Sequence, residues 1–467
     1  MTMPKRIART NSGPVRRPAR SAASAFVCLL LALTMVLRFG VAPAMAQGNV
    51  SFLRDAETEE LLRDYIAPIY RAAGVGGSRI NVYLVNDRSF NAFVADGRRV
   101  FVNVGALMES DTPNQIIGVL AHETGHMAGG HLARLHEQMA GAQAIMVLSM
   151  LLAAGAIAAG GGQAGQAVLL GGQQLASRSL LRYQRGEEQA ADRAGMTYLA
   201  ATHQSGRGMI DVFRKFADQD LFGSQYADPY ARSHPAPRDR IDSLEHLAKQ
   251  SPYYDNKDAP ELQYRHDLMR AKLSGYLNAP GTVLRDYPNS DRSVPAQYAR
   301  TVMMMRQGKF RDALSGVDRL ISQSASYAYF HELKGDILVQ AGRPAEAIGP
   351  YRRALELKPN EGLLRASYAK AMVTANDPSM LPNAIAELRK ALGQEPDHTE
   401  GWMQLAIAYG RTGQRADADL ASAQAAVVRG DNDTAKVLAE RAKRQFKPGS
   451  PGWLRADDIV KFKPKKN

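Results

Sequence analysis

Small residues return at a fixed interval in the second half of the chain, and that interval constrains the fold more than any other feature. Gly308 and Gly342 stand 34 positions apart, as do Ala313 and Ala347, and again Ala384 and Ala418. The step from Ala347 to Ala384 is 37, because of an insertion around Asp377-Pro378. Such a period means one helix pair per repeat, with alanine and glycine where paired helices must approach closely. Ala354, Pro359, Ala391, Pro396, Trp402, Leu405 and Tyr409 occupy further positions of the pattern. They predict three repeats, with a closing helical pair around Gly430 and Ala435. Stacked pairs form a concave surface suited to binding segments of other proteins. We expect this all-α superhelix over residues 256–467. Lys461, Lys463, Lys465 and Lys466 at its end read as a solvated tail.

A different signal dominates the first half. His122-Glu123-Thr124-Gly125-His126 places two histidines four residues apart, so on a helix they lie about 40° apart and can hold one metal ion. Glu123 sits beside them, as a base for a water activated by that ion. A helix is expected here. Thr112-Pro113-Asn114-Gln115 reads as an N-cap, a proline at the first helical position and a glutamine closing a capping box, ahead of Ile116, Ile117, Val119 and Leu120.

Residues 1–46 read as a secretory signal peptide. Lys5, Arg6, Arg9, Arg16, Arg17 and Arg20 form a basic region, Ala22 to Leu37 an apolar one, and Ala44-Met45-Ala46 a small-x-small cleavage site. We expect export, with Gln47 as the first mature residue. The sole cysteine, Cys28, lies inside the leader, so the mature chain needs no disulfide. The net charge of +13 also belongs largely to the leader; without it, 52 basic residues face 46 acidic ones. That mild excess, with no aromatic-basic interleaving, gives no nucleic-acid footprint.

In the mature chain, residues 55–73 predict an amphipathic helix burying Leu61, Leu62, Ile66, Ile69 and Tyr70. Strands are expected at Ile80 to Val85, at 91–94 and at 100–104, the last two flanking the hairpin turn Asp96-Gly97. Such a sheet can offer an edge strand to an extended peptide. Residues 138–177 carry no charged side chain. Glycine clusters at 160–162 and 171–172 split this stretch into two pieces, and the leading expectation is a buried helical hairpin covering the active site. A membrane-touching or mobile lid is the alternative, with a transmembrane hairpin behind it.

A metal ion that keeps a water needs a third protein ligand. Tyr183 to Asp192 offers both Glu187 and Glu188 on a later helix, and side-chain chemistry alone does not choose between them. A third histidine would have to stand at position 132, which is Leu132. On a continuing helix His131 lies about 180° from His122, so we read it as a surface or second-layer residue.

Three elements together, His122 to His126, Glu188-x-x-Ala191-Asp192, and Ser233-His234-Pro235 followed by Arg240, resemble the HtpX and CAAX prenyl protease family of zinc metalloproteases. The resemblance implies a mostly helical α+β zincin domain with a small β-sheet over residues 47–255, followed by tetratricopeptide repeats. It implies one zinc ion per chain on His122, His126 and Glu188, with Glu123 as general base. In that family the ligand glutamate precedes the aspartate by four residues, which selects Glu188. Asp192 and Arg240 then fall at positions that support the ligands, and His234 at one that regulates or assists the site. The implied activity is endoproteolysis, and the implied clients are misassembled outer-membrane β-barrel proteins and their assembly machinery. The rival expectation is a chaperone or adaptor whose metal site is mostly self-inhibited.

Overall fold

A computed structural model describes residues 51–75, 80–95, 99–159, 161–220, 230, 233–235 and 238–462. The expected signal peptide, the expected turn at Asp96-Gly97 and the lysines at 463, 465 and 466 lie outside the described residues. The chain divides into two compact units, one holding residues 133–184 and the other residues 51–132 and 185–462 of those described.

In the larger unit, β1 (Phe52–Leu53), β2 (Asn81–Val85), β3 (Ala92–Ala95) and β4 (Arg99–Asn103) form one sheet in the order β1-β2-β4-β3. β2 and β4 are parallel, with Val82 opposite Val100 and Leu84 opposite Val102. β3 runs antiparallel to β4 as the hairpin pattern requires, with Phe93 opposite Phe101, and it forms one edge. Strand alternation sends Val82, Leu84, Val100 and Val102 into the core, while Phe93, Phe101 and Tyr83 stack in a ladder on the other face. Against the buried face pack α1 (Ala56–Ala72), with Leu61, Leu62, Ile66, Ile69 and Tyr70 all buried, and α3 (Pro113–Gly129), which follows the short α2 (Val104–Glu109).

The smaller unit belongs to a helical hairpin. α4 (His131–Ala158) and α5 (Gly162–Ala201) run through it, and the glycines at 171 and 172 lie inside the continuous α5 instead of splitting it. The hairpin is not buried, which corrects the leading expectation. Small residues take the contact between the helices: a Cβ on Gly172 would meet Ser149, one on Gly165 would meet Ile157 and the carbonyl of Ala153, and Ala153 and Ala176 are buried. The larger side chains, Leu148, Leu151, Leu152, Leu170 and Leu175 among them, are left outside and exposed.

After α6 (Arg207–Asp220), α7 (Arg238–Lys249), α8 (Pro260–Leu277) and α9 (Pro280–Asp286), the helices pair as the period demands. The pairs are α10 (Val294–Arg306) with α11 (Phe310–Gln323), α12 (Ala328–Gln340) with α13 (Pro344–Leu357), α14 (Gly362–Thr374) with α15 (Leu381–Gln394), and α16 (Thr399–Arg411) with α17 (Arg415–Val428). α18 (Asn432–Gln445) and α19 (Pro451–Lys461) close the array. Gly308, Gly342 and Gly413 turn three of the pairs in the left-handed region, with φ of 72°, 75° and 77°. The three extra residues of the third repeat are a 3₁₀ turn, Pro378–Met380. Ala313, Ala347 and Ala384 are fully buried, as the pattern requires, whereas Ala418 is only half-buried.

The sequence gives no hint of how closely the repeats and the sheet domain are tied. The first turn of α1 is buried, and Glu57 there accepts hydrogen bonds from Tyr298 (2.7 Å) and Tyr327 (2.6 Å) on successive repeats. Lys272 of α8, also buried, pairs with Asp55, with Glu57 at 3.3 Å and with Glu332 of α12 at 3.5 Å. The same helix gives Met269 and Leu273 to the sheet domain's core and Leu268 to the first repeat's core. Burial pushes Glu57 and Glu332 up, while Asp55, against its own desolvation, is held down by Lys272. Lys272→Met keeps the packed stem but leaves these carboxylates without their cation. We expect it to cost about 3 kcal/mol, read as a lower urea midpoint by circular dichroism; an unchanged midpoint would show that the cluster contributes nothing.

Candidate metal centre

α3 carries the first half of the site. Pro113 opens it, but Thr112 makes no side-chain cap, so the expected capping box is only partly formed. Gln115 reaches back to the backbone N–H of Asp111 at 2.7 Å, and Asp258 accepts from the N–H of Asn114 at 3.0 Å. A residue distant in sequence thus satisfies a donor that a local cap was expected to take. The helix stops at Gly130, which adopts φ 67° and donates to the carbonyls of His126 and Met127.

That stop changes the reading of His131. It begins α4 instead of continuing α3, so its direction cannot be projected from His122. It is buried, its Nδ1 lies 2.8 Å from Nδ1 of His126, and its Nε2 lies 2.7 Å from Glu187. His131 therefore backs His126, and Glu187 backs His131. The second-layer reading of His131 agrees with this placement; the helical projection behind it does not.

The other half of the site is on α5. Its approach to α3 is permitted by glycine: a Cβ on Gly125 would stand 2.7 Å from the carbonyl oxygen of Ala191, and one on Gly195 3.2 Å from the backbone of His122. Gly125 in the motif is thus a close-packing position. At this distance Glu188 reaches both histidines, Oε2 lying 3.4 Å from His122 Nε2 and Oε1 3.2 Å from His126 Nε2. The two imidazole Nε2 atoms are 3.0 Å apart. His234 completes the group with Nδ1 3.0 Å from Glu188 Oε1 and 3.4 Å from His122 Nε2.

One donor atom from each of His122, His126, Glu188 and His234 lies within 4.8 Å of the other three. Three nitrogens and a carboxylate oxygen so converged are the donor set of a divalent transition metal ion. The electrostatics agree with a cation there. Burial disfavours charge on His122, yet the carboxylates of Asp192 and Glu188 outweigh it and hold the imidazole up to about 9. Glu188, despite its burial, is held well below the carboxylate range by the three histidines around it. Glu123 is buried beside the cluster, its Oε1 without a hydrogen bond among the described residues and 3.6 Å from His234 Nε2.

A second layer holds these groups. Asp192 Oδ1 lies 3.0 Å from Nδ1 of His122, the nitrogen facing away from the cluster. Arg240 grips Asp192 with Nε and Nη2 at 2.6 and 2.8 Å, approaches Glu188 with Nη1 at 2.9 Å, and donates to the carbonyl of Pro235 at 2.8 Å. One guanidinium thus ties the third candidate ligand, the aspartate behind His122 and the loop of His234. Phe213, under the Arg240 guanidinium at 4.7 Å and edge-on to His122 at 5.5 Å, was not singled out by sequence; nor was Tyr230, whose ring lies against His234 at 4.6 Å. The only local signal for either was an aromatic residue near a motif.

Known proteins resemble both parts of the chain. Residues 54–248 match peptidase family M48, and residues 305–361 match a tetratricopeptide repeat. The chain is 26% identical over 380 residues to the beta-barrel assembly-enhancing protease of Yersinia pestis, covering 80% of this chain and 77% of the relative. It is 26% identical over 384 residues to the protein of that name from Escherichia coli K12, covering 80% and 76%. A putative protein of that name from Vibrio cholerae is 24% identical over 390 residues, covering 81% and 78%.

Proposed function

From a peptidase family M48 domain followed by tetratricopeptide repeats, we propose an exported zinc endopeptidase in which His122, His126 and Glu188 hold one Zn2+ and Glu123 is the general base. The observation that carries this reading is the convergence of the four donor atoms beside the buried Glu123 carboxylate. Bound there, the ion supplies Lewis acidity, polarising a peptide carbonyl and making a water easier to deprotonate. Glu123 takes the proton of the attacking water and passes it to the leaving amine as the C–N bond breaks. Asp192 fixes the orientation of His122, and Arg240 holds Asp192, Glu188 and the loop of His234 in register.

The names of the relatives suggest the setting. We place the protein in the periplasm after cleavage behind Ala46, with residues 47–255 as the peptidase and 256–467 recruiting misassembled outer-membrane β-barrel proteins or their assembly machinery. The second reading, a chaperone or adaptor with a mostly closed metal site, is favoured by one observation. His234 occupies the fourth side of the donor cluster, where a substrate water has to sit.

Both readings meet in one experiment on the purified mature chain, with zinc content and cleavage of unfolded casein measured together. A chelator should abolish cleavage, and undiminished cleavage after metal removal would overturn the metallopeptidase. His234→Ala should bind zinc normally and cleave casein about tenfold faster, since it opens the fourth position. A loss on the order of 100-fold would instead assign His234 to stabilising the oxyanion.

A further inference from the structure

We propose that the hairpin formed by residues 138–177 is a lipid anchor that dips into one leaflet of an anionic phospholipid membrane. A soluble helix that packs on a protein partner exposes one apolar stripe. In this hairpin α4 exposes apolar side chains on every side but one, and α5 adds Val168, Leu169, Leu170 and Leu175. Met146, Val147, Leu148, Met150, Leu151 and Leu152 are consecutive apart from Ser149, and at about 100° per residue they encircle α4. Within this run only Ser149 turns inward, against Gly172 of α5, and its hydroxyl donates to the carbonyl of Ile145 at 2.8 Å, so it brings no unpaired donor into hydrocarbon. A single groove or stripe on another protein cannot cover such a surface, whereas lipid can.

The charges and the dimensions select the depth. No charged side chain occurs from 138 to 177, and the exposed Arg134, Arg178 and Arg182 face one exposed acid, Glu137, at the base. Arg178 and Arg182, nearest the apolar stretch on α5, lie where anionic headgroups would meet them. From Arg178 to the start of α5 at Gly162 the hairpin rises about 24 Å. One leaflet offers roughly 15 Å of hydrocarbon beneath about 6 Å of headgroup region, so the tip reaches the bilayer centre. A crossing would need about 30 Å of apolar height in both helices. Ala133–Ala158 alone is long and apolar enough to span, but α5 must return beside it, and it carries Gln163 and Gln166 near the tip.

The test uses the mature chain, which is cysteine-free once residues 1–46 are removed. Single cysteines at Leu151→Cys and Gln163→Cys, labelled with an environment-sensitive fluorophore, are mixed with phosphatidylethanolamine–phosphatidylglycerol vesicles. Both labels should shift to the blue, and the Gln163 label should be quenched most by lipids brominated near the bilayer centre. In flotation, the unlabelled Leu148→Glu/Leu151→Glu/Leu170→Glu variant should lose at least tenfold of its vesicle-bound fraction. Its unchanged thermal midpoint would show that it is folded, since all three side chains are exposed. Arg178→Gln/Arg182→Gln should weaken binding to these vesicles far more than to phosphatidylcholine. Labels that keep water-like emission with vesicles present would overturn the proposal, as would self-association by light scattering without flotation, which would make a second copy the occupant. Stronger quenching of the Gln163 label by shallow bromines would overturn the depth.

Discussion

Glu123→Gln should lower casein cleavage by roughly 10³- to 10⁴-fold while leaving bound zinc and client capture nearly unchanged. The size follows from removing the proposed general base from a site where no second base stands ready. Among the described residues, the carboxylates near Glu123 are Glu188, engaged with His122 and His126, and Asp192, clamped by Arg240. His234 is 3.6 Å away but is proposed to block the site in the resting state. Glutamine matches glutamate in shape, so the buried pocket around it should hold. Cleavage rate, zinc by atomic absorption and client pull-down, measured on one preparation, separate the roles. An unaffected rate would remove the enzyme reading and leave the adaptor.

Glu188→Gln should weaken zinc binding by more than 100-fold, whereas Glu187→Gln should cost about tenfold at most. Glu188 lies between the two histidine Nε2 atoms and supplies the only carboxylate of the donor cluster. Glu187 points to His131, which in turn backs His126, so its loss loosens a ligand without removing one. Competition with a chromophoric chelator gives both affinities. Equal losses would show that the two glutamates share the ion, which their separation of about 100° around α5 opposes.

How much of this was legible in the sequence depends on whether the information is local. His122, Glu123 and His126 are related by helical geometry, so their spacing alone put them on one face. Glu188 was different. Two adjacent glutamates were chemically equivalent in the sequence, family resemblance preferred one, and the close approach of α3 and α5 at Gly125 and Gly195 is what brings Glu188, and turns Glu187, toward different histidines. The projection of His131 failed because a left-handed glycine at 130 ends the helix on which it relied. The capping box was half right, since Asp258, far along the chain, accepts from the Asn114 N–H in place of a local cap.

The sequence by itself determined what repeats and what alternates: the helix pairs set by buried alanines, the strands set by period-two patterning, and the two-histidine face. Each follows from interactions within a few residues or from a period that any stacked neighbour must respect. Only the tertiary structure decided the rest. It put His234 beside Glu188 across a loop, gathered Asp192, Glu188 and Pro235 onto one Arg240, and buried Lys272 among acids from two domains. It also turned the hairpin's small residues inward and its leucines out. These outcomes depend on which distant surfaces meet and in what register, and a linear pattern of polar and apolar residues does not contain that register.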